Sequence, residues 1–242
     1  MNRIFIFLLT LFIPLHSLSE TIVAAGDPWP PFLDPNVPGQ GIVLEIARAA
    51  YKTQGYEVEM NFVPWARAIN GVKEADYDVL LGTWYTKERT AFLHYSDPYL
   101  YNDIKFIKRK GDGFEYKGLE SLTGKSIGIV RGYGYGDEFL TAENFRRPET
   151  KDLISNVKKL VKDRIDLTVG DEIVARAMLK SQNPEYLDQI EFITLPLSTN
   201  ALHVTSGLSN AKHKKIIDAF NIGLKEIKMN GTLDAILKEY GF

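Results

Sequence analysis

The sequence predicts an α/β protein with parallel sheets, built as two similar units in succession. Three observations carry that prediction. Short apolar or alternating runs give way regularly to stretches of helical period, reading β-α-β-α-β over the first third of the chain. The pattern then restarts after a polar, glycine-rich interruption, "KGDGFEYKG". Finally, 242 residues, 45% apolar and 25% charged, are enough for one large domain or two ordinary ones with a real core.

The first element lies outside the fold. "MNRIFIFLLTLFIPLHSLSE" carries one basic residue, Arg3, then an apolar stretch from Ile4 to Leu15 and a polar end with small residues. Ser17 and Ser19 suit the small-x-small cleavage pattern, so residues 1–19 are expected to be a signal peptide and the mature chain to begin near Glu20. An apolar run of about 12 residues is too short to span a ~30 Å hydrocarbon core. The chain has no cysteine, hence no disulfide framework and no thiol near the cleavage site to carry a lipid. An exported, periplasmic protein is expected.

The elements then follow in order. "TIVAA" is a strand, ended by the three prolines of "GDPWPPF". "GIVLEIARAAYKTQG" repeats apolar residues at Ile42, Ile46, Ala49 and Ala50 before Gly55, a helix with a C-terminal glycine. "YEVEMNFV" alternates as a strand. "PWARAINGVKEA" starts a helix at Pro64, and "YDVLL" is a buried strand. "NDIKFIKR" is a further strand before the interruption. In the second unit "SIGIV" is a strand, "GYGYGDEFLTAENF" a glycine turn entering a helix, and "DLISNVKKLVKD" a helix with Leu153, Ile154, Val157, Leu160 and Val161 on one face. "IDLTV", "DEIVARAMLKSQ" and "IEFITL" read strand, helix, strand. "ALHVTS" precedes a helix carrying Ile216, Phe220, Leu224 and Ile227, and "TLDAILKEY" closes the chain.

Ligands of open parallel sheets bind beyond the carboxyl ends of the strands, and the residues hardest to explain as core fall there. Asp27, Trp29 and Phe32 follow the first strand. Thr83, Trp84 and Arg89 follow "DVLL". Arg131, Tyr133 and Tyr135 follow "SIGIV", and Asp171 follows "IDLTV". Two such edges facing each other make a cleft with a cation, an anion and stacking surfaces, complementary to an amino-acid-like ligand. Structural roles compete with binding at each position. Trp29 could plug the sheet top, Arg89 could pair with Asp97 or Glu88, and Asp171 could simply cap the helix it precedes. Trp65 shares a helical face with Ile69 and Val72, as a core residue does, and Arg67 lies on a different face.

Other functions are disfavoured. A net charge of −2 offers no basic stripe for nucleic acid. "RGYGYGDEF" suggests anion capture by backbone N–H groups, but its G-x-G-x-G spacing is not the dinucleotide fingerprint. The four histidines are scattered, with no metal spacing and no nucleophile elbow. No metal and no cofactor is expected.

Taken in order, "GDPWPPF", "GIVLEIARAA", "ADYDVLLGTWYTKERTAFLHYSDPY", "DRIDLTVGDE" and "NGTLDAILKEYGF" resemble the bacterial solute-binding proteins of family 3, the periplasmic receptors of polar amino-acid ABC importers. The resemblance covers nearly all of the mature chain. It implies the type II periplasmic binding protein fold: two parallel-sheet lobes joined by two crossover strands and closing on ligand as a hinged trap. "NDIKFIKR" and the stretch from Leu195 to Val204 would be the crossovers. Lobe 1 would then comprise residues 20–105 and 200–242, and lobe 2 residues 106–199.

The same resemblance implies that Arg89 grips the ligand's α-carboxylate, that Asp171 takes its α-ammonium, and that Trp29 lies against its side chain. With Phe32, Thr83, Trp84 and Tyr133 these are the expected ligand-binding residues. The sequence departs from the family at Trp84, where a Ser or Thr is usual, and at Tyr133 and Gly134, where a hydroxyl-bearing pair is common. A more aromatic cleft implies a smaller, flatter or less polar ligand. The reading that follows is a monomeric periplasmic receptor that hands an amino-acid-like solute to an ABC importer. A free-standing ligand sensor with a signalling partner shares every feature. A cyclohexadienyl-dehydratase-like enzyme would need a carboxylate acid in the cleft, for which Glu172 is the nearest candidate.

Overall fold

A computed structural model of the protein describes residues 20–241, so the expected signal peptide and Phe242 lie outside the described residues. Ten strands and seven helices follow one another largely in the predicted order. They are β1 (Glu20–Gly26), α1 (Ile42–Thr53), β2 (Tyr56–Phe62), α2 (Trp65–Glu74), β3 (Val79–Trp84), β4 (Leu93–Tyr95), β5 (Leu100–Arg109), β6 (Ile127–Val130), α3 (Asp137–Thr141), β7 (Glu149–Thr150), α4 (Leu153–Val161), β8 (Leu167–Asp171), α5 (Glu172–Gln182), β9 (Ile190–Phe192), β10 (Ser198–Gly207), α6 (His213–Met229) and α7 (Thr232–Glu239).

The strands run in the order β2-β1-β3-β10-β5-β8-β6-β7. β1 pairs in parallel with β2 and β3, and β6 in parallel with β7 and β8. Between these two groups lie the long strands β5 and β10, antiparallel to each other and to their outer neighbours. They join two parallel-sheet lobes, as expected of the crossover strands. Helices cover the sheets because their apolar faces repeat at helical period: Ile42, Ile46 and Ala50 of α1 are fully buried, and Ile216, Phe220, Leu224 and Ile227 of α6 nearly so. α1 packs on α6, with the Tyr51 and Phe220 rings 5.5 Å apart. A Cβ on Gly223 would sit 2.0 Å from the Ala50 carbonyl oxygen, so only glycine allows this approach. The C-terminal helices thus return to the first half of the chain.

Several boundaries differ from the sequence reading. β3 continues through Gly82 and Thr83 to Trp84, every residue buried, so Trp84 belongs to the strand rather than to the loop after it. Pairing with β10 at Thr83 and Trp84 supplies the backbone partners for this extension. β9 is only three residues long; Ile193 after it stays buried, with its N–H on the Phe106 carbonyl at 2.9 Å, and Leu195 is exposed. The helix after the glycine turn is a five-residue piece, Asp137–Thr141, since Ala142 is already extended. Among the described residues no helix is long and apolar enough to cross a membrane.

Candidate functional site

The two outer sheet groups present their carboxyl ends to one another, and the chain beyond β1, β3, β6 and β8 meets there. After β1, the prolines hold a tight turn in which the Trp29 carbonyl accepts from the Phe32 and Leu33 N–H groups. Phe32 is fully buried with its ring 4.6 Å from Trp29, so it backs the indole rather than facing the cleft. Trp29 in turn stands edge-on to Trp84, with centroids 5.8 Å apart. Trp84 is anchored from the crossover, its Nε1 donating to Asn102 Oδ1 at 3.1 Å.

Arg89 lies in a short 3₁₀ turn after β3 and is 5% exposed. Its Nη1 donates to the Trp84 carbonyl at 3.0 Å and its Nη2 crosses to the Gly132 carbonyl at 2.6 Å. The guanidinium also lies 5.4 Å from the centre of the Trp65 ring. Burial pushes the Arg89 guanidinium down from its ordinary range. The pairings with Asp97 and Glu88 considered from sequence are replaced by these contacts.

The loop after β6 reaches across because two of its glycines permit it. Gly132 has φ of 74°, which favours glycine, and its carbonyl accepts both Arg89 and the Trp65 indole N–H, the latter at 2.9 Å. A Cβ on Gly134 would fall 2.6 Å from Thr86 Cγ2 and 3.2 Å from Arg89 Nη1. The loop therefore offers a carbonyl to the cleft. Tyr133 enters between the lobes, its ring nearly perpendicular to Trp65 and to Trp84 at 5.9 and 5.4 Å. Its hydroxyl donates to Asp27 Oδ2 at 2.6 Å. Desolvation raises the Asp27 carboxyl to about 6, although the Tyr133 hydrogen bond works against that rise.

Asp171 is 3% exposed and caps α5, accepting from the Val174 N–H at 2.9 Å. Burial raises its carboxyl above the ordinary range, opposed by the hydrogen bonds it accepts. Capping and facing the cleft are not exclusive here, because Asp171 also lines a cavity. Two cavities of about 20 Å³ each lie between these side chains, one bordered by Arg89 and the other by Asp171, beside a more open pocket of about 360 Å³ that Arg89, Gly132, Tyr133 and Gly134 also line. Asp27, Trp29, Trp84 and Tyr133 border both small cavities, and each of these holds about one water. There the side chains themselves fill the cleft.

Of the residues singled out from sequence, Trp29, Trp84, Arg89, Tyr133 and Asp171 come together. Phe32 and Thr83 do not: Thr83 is fully buried with its hydroxyl 3.0 Å from that of Thr205, a hydrogen bond that satisfies it inside the sheet. Trp65 and Asp27 do belong to the cleft. At the first turn of α2, Trp65 both shares the core face and reaches the loop opposite. Asp27 was visible only as a strand-end acid. Glu172 lines neither cavity and is paired with Lys105 at 2.9 Å and Arg176 at 2.8 Å. Burial works against its ionisation, but those hydrogen bonds outweigh it and hold the carboxyl below its ordinary range. The scattered histidines include one spatial pair, His94 and His213, with Nδ1 atoms 3.0 Å apart. No group of three potential metal ligands occurs among the described residues.

Residues 21–242 match the family described as bacterial extracellular solute-binding proteins, family 3. Among curated relatives, the arginine-binding extracellular protein ArtP of Bacillus subtilis (strain 168) is 27% identical over 204 residues, 83% of this chain and 77% of ArtP. The L-cystine-binding protein TcyJ of Escherichia coli (strain K12) is 24% identical over 227 residues, 90% of this chain and 81% of TcyJ. Among solved structures, an ancestral arginine-binding protein bound to arginine superposes with a TM-score of 0.77 at 25% identity, covering 92% of this chain and 98% of that one.

Proposed function

The chain belongs to the bacterial extracellular solute-binding proteins, family 3, and we propose that it is an exported receptor that captures one small amino acid between its lobes for an ABC importer. The observation that carries this reading is the shared aromatic lining of two adjoining cavities, Trp29, Trp84 and Tyr133, with Arg89 bordering one cavity and Asp171 the other. Arg offers a planar fork to a carboxylate, and a buried carboxylate is the counterpart of an ammonium. The named relatives bind amino acids, which supports the ligand class without fixing the ligand.

On this reading residues 1–19 are removed on export and the mature protein works in the periplasm. Lobe 1 comprises residues 20–105 and 200–242, and lobe 2 residues 106–199, with β5 and β10 as the hinge. Opening at that hinge withdraws Tyr133 and the Gly132 carbonyl from Asp27 and Arg89, and the ligand takes their place. No catalytic step is part of the proposal, since Glu172 is ion-paired away from the cleft. A thermal-shift screen of free amino acids on the mature protein tests it, because a ligand at 100 times its Kd adds about 2.7 kcal/mol. A rise in melting temperature confined to one or a few amino acids, and lost in Arg89→Ala, is expected. No rise with any amino acid would overturn the reading.

A further inference from the structure

We propose that Asn102, on the crossover strand β5, is a positioning residue for ligand capture, its side-chain amide setting the Trp84 indole with one end and the Asp171 carboxylate with the other. The inference rests on the receptor reading and adds to it a residue that borders neither small cavity.

Strand period places Asn102 for both contacts. Along β5, Leu100, Asn102 and Ile104 turn inward while Tyr101 and Asp103 turn outward. Ile104 stands opposite Asp171 of β8, so Asn102 lies two residues along the same face from that pairing. From the other side, Trp84 Nε1 donates to Asn102 Oδ1 at 3.1 Å. An indole N–H can only donate, which fixes Oδ1 towards Trp84 and leaves the Nδ2 donors for the other neighbours. Nδ2 is buried and completes no hydrogen bond, Asn200 opposite it on β10 included.

The acceptor on that side is Asp171. Burial is the largest influence on its carboxyl and raises it; the Val174 N–H opposes the rise first and the Asn102 amide next. The helix cap occupies Asp171 Oδ1, so the amide and a ligand ammonium share what the cap leaves. Asn102 is itself 6% exposed, and it sits on the strand about which the lobes would move. One amide thereby ties a wall residue of each lobe to a single geometry. It also answers the departure at Trp84, since an indole in place of a hydroxyl brings a buried N–H that is costly without an acceptor. The other titratable groups around Asp171 are Asp103 on β5, Asp27 and Asp152 on the same cavity, and Glu172, which pairs with Lys105 and Arg176. Burial keeps the Tyr133 and Tyr135 hydroxyls there neutral. None of these groups changes in the variants below.

The test combines NMR of the Asp171 carboxyl and the Trp84 indole with calorimetry on the mature protein, probing wild type, Asn102→Leu and Asn102→Asp with each standard L-amino acid across pH. Asn102→Leu keeps an inward side chain but neither contact. Its Asp171 midpoint should rise, its Trp84 N–H resonance should move to the unbonded position, and every amino acid that wild type binds should bind at least about tenfold more weakly. Asn102→Asp keeps an acceptor for the indole and puts a second carboxylate beside Asp171. The Trp84 resonance should then stay, while the acid limb of binding moves up by about one pH unit. An Asn102→Leu protein that melts lower yet keeps the Asp171 midpoint and the affinities would overturn the inference and leave the receptor reading intact. Should Asn102→Leu not fold, an unmoved acid limb in Asn102→Asp overturns it. Binding of no amino acid by wild type overturns the receptor reading and this role with it.

Discussion

The Tyr133 hydroxyl donates to Asp27 Oδ2 across the cleft at 2.6 Å, linking the glycine loop after β6 to the proline loop after β1. That contact, with Arg89 Nη2 on the Gly132 carbonyl at 2.6 Å, holds the two lobes together through groups a ligand would engage.

Asp27 should destabilise the ligand-free protein at neutral pH. Its folded-state carboxyl is raised by desolvation from 3.8 to about 6, so between those values the folded protein binds more protons than the unfolded chain. Stability from this group therefore falls as pH rises from about 4 to about 6, and the penalty, at most about 3 kcal/mol, is complete above that window. Asp27→Asn should raise the ligand-free melting temperature at pH 7.5 by about 2–4 °C per kcal/mol recovered. It should have little effect well below pH 3.8, where the aspartate is protonated in both states. A fall at pH 7.5 would show that Asp27 is structurally required.

Arg89→Ala should weaken ligand binding by about 2–5 kcal/mol, the range for stripping one partner from a buried charge pair. Arg89→Lys should recover only part of this, since an ammonium cannot hold the fork geometry. Calorimetry reads both. Binding in Arg89→Ala within about threefold of wild type would remove Arg89 from the site.

Gly134→Ala tests the approach of the glycine loop. Its Cβ would lie 2.6 Å from Thr86 Cγ2 and 3.2 Å from Arg89 Nη1, so the loop must retreat from lobe 1. Ligand affinity should drop while the thermal stability of the ligand-free protein changes little. A normal affinity would mean that closure does not need this contact.

Trp84 is both 5% exposed and a wall of both cavities, with its indole N–H held by Asn102. Trp84→Phe should remove much of the ligand-induced change in tryptophan emission and weaken binding. Trp84→Ser should alter which ligands bind more than it lowers the melting temperature. A sharp loss of stability with an unchanged ligand profile would make Trp84 core alone.

The fold was legible because each buried face leaves a period in the sequence: alternation in β2, three- and four-residue spacing in α1, α4 and α6. Trp29, Arg89, Tyr133 and Asp171 stood out because charged or aromatic residues just beyond strand ends are hard to explain as core alone, and the structure brings the four together. Thr83 misled because β3 is buried throughout, leaving no polar alternation to tell which side chains turn inward. Trp65 was hidden by its apolar neighbours on α2, whose helical face meets the cleft at its first turn. The direction in which Tyr133 points depends on the meeting of two lobes far apart in sequence, which no local pattern records.

The central claim is that this cleft opens to take an amino acid. The most direct measurement is a calorimetric titration of the mature protein with each free amino acid, repeated on Arg89→Ala. One-to-one binding of a restricted set, abolished or strongly weakened in Arg89→Ala, is the predicted result. No heat with any amino acid, or binding indifferent to Arg89, would contradict the account.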